Sequence, residues 1–152
     1  VTDATRAARH AAREAALQML YQWEIGGADL GETIATYPAV QPRPLDEAAR
    51  AFAHDLVRGT AVNLPEIDAL IAEQAQHWRI ERMAVVDRLI LRLGVFELRH
   101  TTTPLPIIVD EALDLARTFS SEPAVKFING VLDAIGRRLR GGHAQGGSTA
   151  EH

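Results

Sequence analysis

Arg6, Arg9, His10 and Arg13 recur at helical spacing within residues 4–13, a stretch that holds no Asp or Glu. On a helical wheel of about 100° per residue they share about a quarter turn. The chemistry open to that arrangement is recognition, not bond making. Planar guanidinium groups fork onto phosphate oxygens, and three arginines in register could follow successive phosphates of a single strand, with strong salt sensitivity. Tyr21 and Gln22, further along the same segment, could add base stacking and base-edge contacts. The plain alternative is that the arginines solubilise an alanine-rich helix. A second group gathers a cation, a ring and an amide: Lys126, Phe127 and Asn129. Phe127 alone reads as a core residue. Asn129 and Gly130 are harder to place, since neither favours a helix interior and both stand well inside a strong helical pattern. One structural explanation is a neighbouring helix passing close to Gly130, with Asn129 bonded to a loop.

A third set lies between Trp78 and Leu139, where the chain is most strongly apolar. Val86, Leu89, Ile90, Leu93 and Phe96 cover one broad side of a helix, while Arg88, Arg92 and Arg99 share a narrow opposite strip beside Leu91 and Val95. Aliphatic area gives an interface affinity and guanidinium forks give it orientation, so the strip reads as a protein-binding surface. The competing reading is a solvated face whose aliphatic neighbours another helix covers. Glu97 falls inside the apolar arc, where an unpaired carboxylate is costly; it calls for an arginine partner or a place near the helix end. Enzymatic chemistry finds little footing. Ser120, Ser121, the histidines and the carboxylates form no nucleophile elbow, metal-ligand spacing or phosphate-cradling loop. His54, His77 and His100 are far apart, and Asp110 and Glu111 suit the polar start of a helix. No catalytic residue, metal or cofactor is expected.

The elements that must carry these groups are helical throughout. Ala, Leu, Glu and Arg dominate the periodic segments and β-branched alternation is absent. Helix one should run from about Ala4 to Ile25, with Ala8, Ala12, Ala16, Met19 and Trp23 as its core face, and stop at Gly26-Gly27. A short helix near Asp29 to Thr36 precedes an irregular segment marked by Pro38, Pro42 and Pro44. Asp46 to Ala61 follows. Asn63 reads as an N-cap, with Pro65 in the first turn and Glu66 at the third position of a helix from Leu64 to about Gln76. Arg82 to Arg99 and Pro106 to Phe119 come next, and Ser120 or Ser121 caps a last helix continuing to about Arg140. Seven helices on short connections predict an all-α bundle with the Arg82–Arg99 helix near its middle. Residues 1–140 are expected to form one domain and 141–152 a flexible tail.

Composition narrows the function classes. Apolar residues make up 47% of 152, enough to bury a core and exclude wholesale disorder. No apolar run reaches membrane-spanning length, and the arginines at the start lack the apolar centre of a secretion signal, so a cytoplasmic protein making no membrane contact is expected. Cysteine is absent, which removes disulfides, thiolate zinc sites and cysteine nucleophiles. The formal charge is -4, so any nucleic-acid contact must come from a local basic patch. Lys126 is the only lysine among the 16 basic residues.

Taken together, Trp78, Asp87-Arg88, Ile90-Leu91-Arg92-Leu93, Glu97-Leu98, Asp110-Glu111-Ala112, Leu115-Ala116, Phe119 and Lys126-Phe127-Ile128-Asn129-Gly130-Val131-Leu132 resemble the defining segments of the NusB family of bacterial transcription antitermination factors. Ala12-Arg13-Glu14-Ala15 and Leu20-Tyr21-Gln22-Trp23 are similar to that family's first helix. The resemblance runs in order over about residues 6 to 139. It implies two packed helical subdomains and binding of boxA single-stranded RNA from ribosomal RNA operons, together with the small-subunit ribosomal protein NusE. The complex would join the RNA polymerase elongation complex with other Nus factors. Arg9, His10, Arg13, Tyr21, Lys126 and Phe127 match the family's RNA-facing positions, and Asp87, Arg88 and Arg92 those used towards the ribosomal protein. Two departures stand out. Ala11 and Ala12 thin the arginine-rich start, which implies weaker RNA binding without the partner, and Pro123 removes a backbone donor before the last helix. Two alternatives remain at this stage. A non-catalytic scaffold could use the exposed strip as a homodimer interface. The same fold also precedes the catalytic domain of RNA cytosine methyltransferases, although no cysteine is present here for attack on cytosine.

Overall fold

The computed structural model describes residues 3–37, 45–75 and 80–141. The proline segment 38–44, Gln76, His77, Trp78 and the expected tail 142–152 lie outside the described residues. Within them are seven α-helices and no strand: α1 (Asp3–Gly26), α2 (Leu30–Thr36), α3 (Glu47–Val62), α4 (Leu64–Gln74), α5 (Val85–His100), α6 (Leu105–Phe119) and α7 (Glu122–Gly136). A 3₁₀ turn, Ile80–Arg82, precedes α5, and a π-helical turn, Arg137–Gly141, extends α7. The chain divides into two units, Val1–Val62 and Asn63–His152.

Most helix ends follow the local signals. Gly27 takes the left-handed conformation (φ 67°) just past α1, where a side chain would strain the backbone. Asp29 caps α2 by accepting from the Glu32 amide at 3.3 Å, and Asp46 caps α3 by accepting from Ala49 at 2.8 Å. Ser121, not Ser120, caps α7, accepting from the Ala124 amide at 3.3 Å. Asn63 occupies the N-cap position of α4, yet its side chain makes no capping bond. Glu66 closes no capping box there either; its Oε1 lies 2.9 Å from His100 Nε2 and 3.6 Å from Arg99 Nε.

The two units are packed differently. In the first, α1 lies against α3 through Ala12, Ala15 and Ala16 on one side and Ala49 and Ala53 on the other, all buried. Small side chains bring the backbones close, and Leu17, Met19, Leu20, Leu56 and Val57 fill the space beyond. Ala8 and Trp23, expected in the core, are only half-buried. In the second unit α5 packs on α4, α6 and α7 and is buried without interruption from Leu89 to Leu98. Gly94 lets α7 approach, since a Cβ there would stand 2.9 Å from both methyls of Leu132. Gly136 plays the same part against Leu105 and Leu98.

The C-terminal end of α5 is closed from a distance. Arg140 donates through Nε to the Leu98 carbonyl (3.1 Å), through Nη2 to those of Glu97 (3.0 Å) and Thr101 (2.9 Å), and through Nη1 to that of Thr103. A guanidinium here adds donors to carbonyls at and beyond the helix end, that of Glu97 also accepting from the Thr101 amide and hydroxyl, and its charge suits the negative end of the dipole. Glu97, 3% exposed, thus receives an arginine at its main chain.

Candidate nucleic-acid interface

On α1, Arg6 and Arg9 are exposed as the spacing implied, but Arg13 is not. Its exposure is 4%, and its guanidinium lies 5.1 Å from the centre of the Phe52 ring on α3, which Arg9 also covers at 5.0 Å. The wheel explains the burial. At about 100° per residue, the arc holding Arg6, Arg9, His10 and Arg13 is the arc that Leu17 and Leu20 occupy one and two turns later. The arginine strip therefore runs into the buried face of its own helix, and Arg13 stands at the transition. The expected exposure of Arg13 is corrected on this ground: its length is used inside the unit. His10 is half-buried with Nε2 2.9 Å from Glu14 Oε1. Tyr21, 43% exposed, and Gln22 both face solvent beyond the arginines.

On α7, Lys126 and Asn129 are exposed, and neither makes an ion pair or hydrogen bond among the described residues. Phe127 is not core: it is partly exposed and lines an open groove of about 260 Å³ with Arg82, Met83, Asp87, Ser121 and Pro123. The groove brings together Asp87 and Phe127, which sequence reasoning had placed on separate surfaces. Ser120, displaced from capping, donates its hydroxyl to Asp87 Oδ1 and so orients that carboxylate at the groove wall. Pro123 is a wall residue as well. The packing explanation for Asn129-Gly130 fails, because both are exposed and a Cβ on Gly130 would meet nothing within 4 Å.

The α5 strip is largely structural. Leu91 and Val95 are wholly buried, and Arg92 is nearly so, with Nε and Nη2 at 2.8 and 2.9 Å from the two carboxylate oxygens of Asp68 on α4. These three are corrected from surface to interior. A wheel ranks directions, but α5 has neighbours on several sides, so its thinner apolar arc is covered too. Asp87 and Arg88 are partly exposed, Arg88 with Nη1 3.3 Å from the Ile80 carbonyl, and Arg99 is exposed beside Glu66.

Titratable groups are mostly engaged in the fold. His100 stacks on Phe96 at 5.4 Å while paired with Glu66. Burial, then the charges of Arg58 and Arg50, hold the His54 imidazole below its ordinary range, with Asp55 opposing. No helix of the described residues is long and apolar enough to cross a membrane.

Comparison with known proteins gives these features a context. The model of the NusB family matches residues 10–137, a span that starts after Arg6 and Arg9. A transcription antitermination protein NusB of Solibacter usitatus is 45% identical over 133 residues, covering 88% of this chain and 91% of the relative. The solved structure of T. maritima NusB superposes with a TM-score of 0.77 at 33% identity, covering 85% of this chain and 90% of that one. A crystal structure of the antitermination factors NusB and NusE in complex with dsRNA matches with a TM-score of 0.77 at 32% identity, covering 86% and 97%.

Proposed function

The chain belongs to the NusB family, and from that premise we propose that it is a transcription antitermination factor binding boxA RNA of ribosomal RNA operons together with the ribosomal protein NusE. The complex joins elongating RNA polymerase with other Nus factors in the cytoplasm. Its work is assembly: two binding surfaces supply the free energy and no covalent bond changes.

The observation that carries this reading at the level of residues is on α7. The only lysine of the chain stands exposed, in no ion pair among the described residues, next to an aromatic ring at the rim of a groove. A cation for phosphate, a ring for stacking and the Asn129 amide for a base edge form a single-strand binding set. On α1, Arg6, Arg9, Tyr21 and Gln22 form a set of RNA contacts of their own, and His10 adds to it when released from Glu14. Asp87, Arg88 and Arg99 serve the NusE side. The burial of Leu91, Arg92 and Val95 leaves them the task of shaping that side from within.

Fluorescence anisotropy with labelled boxA RNA, a scrambled strand of equal length and a duplex tests the reading, with and without NusE, at two salt concentrations. Selective binding of the boxA strand, strengthened by NusE and weakened by salt, is expected. Equal weak binding to all three RNAs under every condition overturns it.

A further inference from the structure

Gly130 is the ninth residue of the 15-residue α7, in a position where glycine lowers helix stability relative to alanine. The other glycines within α5 and α7 answer to the fold: Gly94 makes room for Leu132, and Gly136 for Leu105 and Leu98. Gly130 answers to nothing among the described residues. It is exposed, and a Cβ built on it would have open space around it.

Its surroundings do point outward. On the wheel, Lys126, Gly130 and Arg137 fall on one strip, with Asp133, whose Oδ2 lies 2.9 Å from Arg137 Nε, beside them. Phe127 and the exposed Asn129 flank the strip on either side. This bare stretch of helix backbone is thus set among a cation, a ring and an amide, with the carboxylates of Asp133 and the exposed Glu122 on the side towards Asn129.

We propose that Gly130 is a contact residue for RNA: its missing side chain lets the sugar-phosphate backbone lie directly on α7 between Lys126 and Phe127. The inference rests on the RNA-binding reading above and names a position that reading did not include. A glycine admits close approach of a ligand where any other residue holds it off, and the backbone contact formed is a set of van der Waals and Cα–H···O interactions. A methyl at this place would lift the strand off the helix and slacken the contacts of Lys126 and Phe127 with it. The same methyl would strengthen the helix, so stability and binding should move in opposite directions.

The experiment uses the full chain as wild type, Gly130→Ala and Gly130→Gln, with thermal melts and anisotropy on labelled boxA RNA with NusE, and separate titration of NusE alone. Gly130→Ala should raise Tm by about 2–4 °C and weaken RNA binding roughly tenfold, about 1.4 kcal/mol, with Gly130→Gln weaker still and NusE affinity unchanged. Variants that are as stable as wild type or more so, and bind RNA equally well, overturn the inference. Loss of NusE binding with RNA binding kept also overturns it, giving the surface to a protein. A fall in Tm overturns it by showing that the fold needs this glycine. Wild-type protein that binds no RNA removes the functional reading and this inference together, an outcome visible before any variant is compared.

Discussion

In the first unit α1 places Arg6, Arg9 and Arg13 within a narrow arc, and in the second α5 does the same with Arg88, Arg92 and Arg99. What stands opposite differs. Arg9 and Arg13 lie over the ring of Phe52, whereas Arg92 grips both oxygens of Asp68 and Arg99 lies beside Glu66. A ring attracts a guanidinium through its quadrupole but carries no net charge. A carboxylate neutralises the charge it holds. Arg9, exposed over a ring, can therefore keep a positive field for a polyanion while Arg13 helps to pack the unit, and the α5 strip is chiefly a set of struts. Arginine periodicity is the same in both; the chemistry of the facing residue decides the role.

That contrast can be broken most sharply at Arg92. Arg92→Ala leaves Asp68 without its fork and should cost about 2–3 kcal/mol in urea unfolding, less than a fully buried pair because Asp68 is partly exposed. Arg99→Ala on the same helix should cost about 0.5 kcal/mol or less; equal losses would erase the distinction between strut and surface within α5. Next in size is Gly94→Ala, expected to destabilise by roughly 2 kcal/mol through a clash with Leu132, and a neutral result in the same melts would mean that α5 and α7 have slack between them. Within α1 the comparison is sharpened by a pair of variants. Arg13→Ala should lose about 1–2 kcal/mol of stability as its stacked, buried stem is removed. Arg9→Ala should hold stability within about 0.5 kcal/mol and lower the salt slope of RNA binding by about 1. Unchanged stability in Arg13→Ala with a lost salt slope would reverse their roles.

The smallest effect concerns acid. The folded His54 imidazole titrates below 6.5, its ordinary value, so the unfolded chain takes up more protons as pH falls through that value. The associated stability is fully present above pH 6.5 and declines below it. His54→Gln should flatten that decline in unfolding midpoints measured between about pH 7 and 5, and an unchanged slope would remove His54 as its source.

Helix ends were readable where their cause is local. Gly27, Asp29, Asp46, Pro65, Ser121 and Pro123 act on the backbone within a turn, so the boundaries they mark fall within about three residues of expectation. The fate of side chains was less readable because it depends on elements far away in sequence. Arg13 needed Phe52, Arg92 needed Asp68, and Leu91 and Val95 needed the helices around α5 before strip could be told from core. Glycines show the same limit. Asn129-Gly130 drew attention as an oddity within a helix, but its open surroundings and the crowded ones of Gly94 and Gly136 are properties of the packed chain. Lys126, by contrast, was legible as the one lysine, whereas its lack of an ion pair among the described residues, with Glu122 one turn back on the same helix, is a property of the folded chain.

The grip of Arg140 on the carbonyls of residues 97–103 has a consequence for the order of events during synthesis. About 40 residues separate those carbonyls from their donor, and a ribosome adding roughly 5–20 residues per second delivers that donor seconds later. Helices α1 to α3 have all the partners of their own unit once Val62 has emerged. The second unit must hold α5 with an open C-terminal end until the last turn arrives. Birth of the chain is thus staggered, the arginine-bearing first helix being ready before the lysine-bearing last one is locked in place.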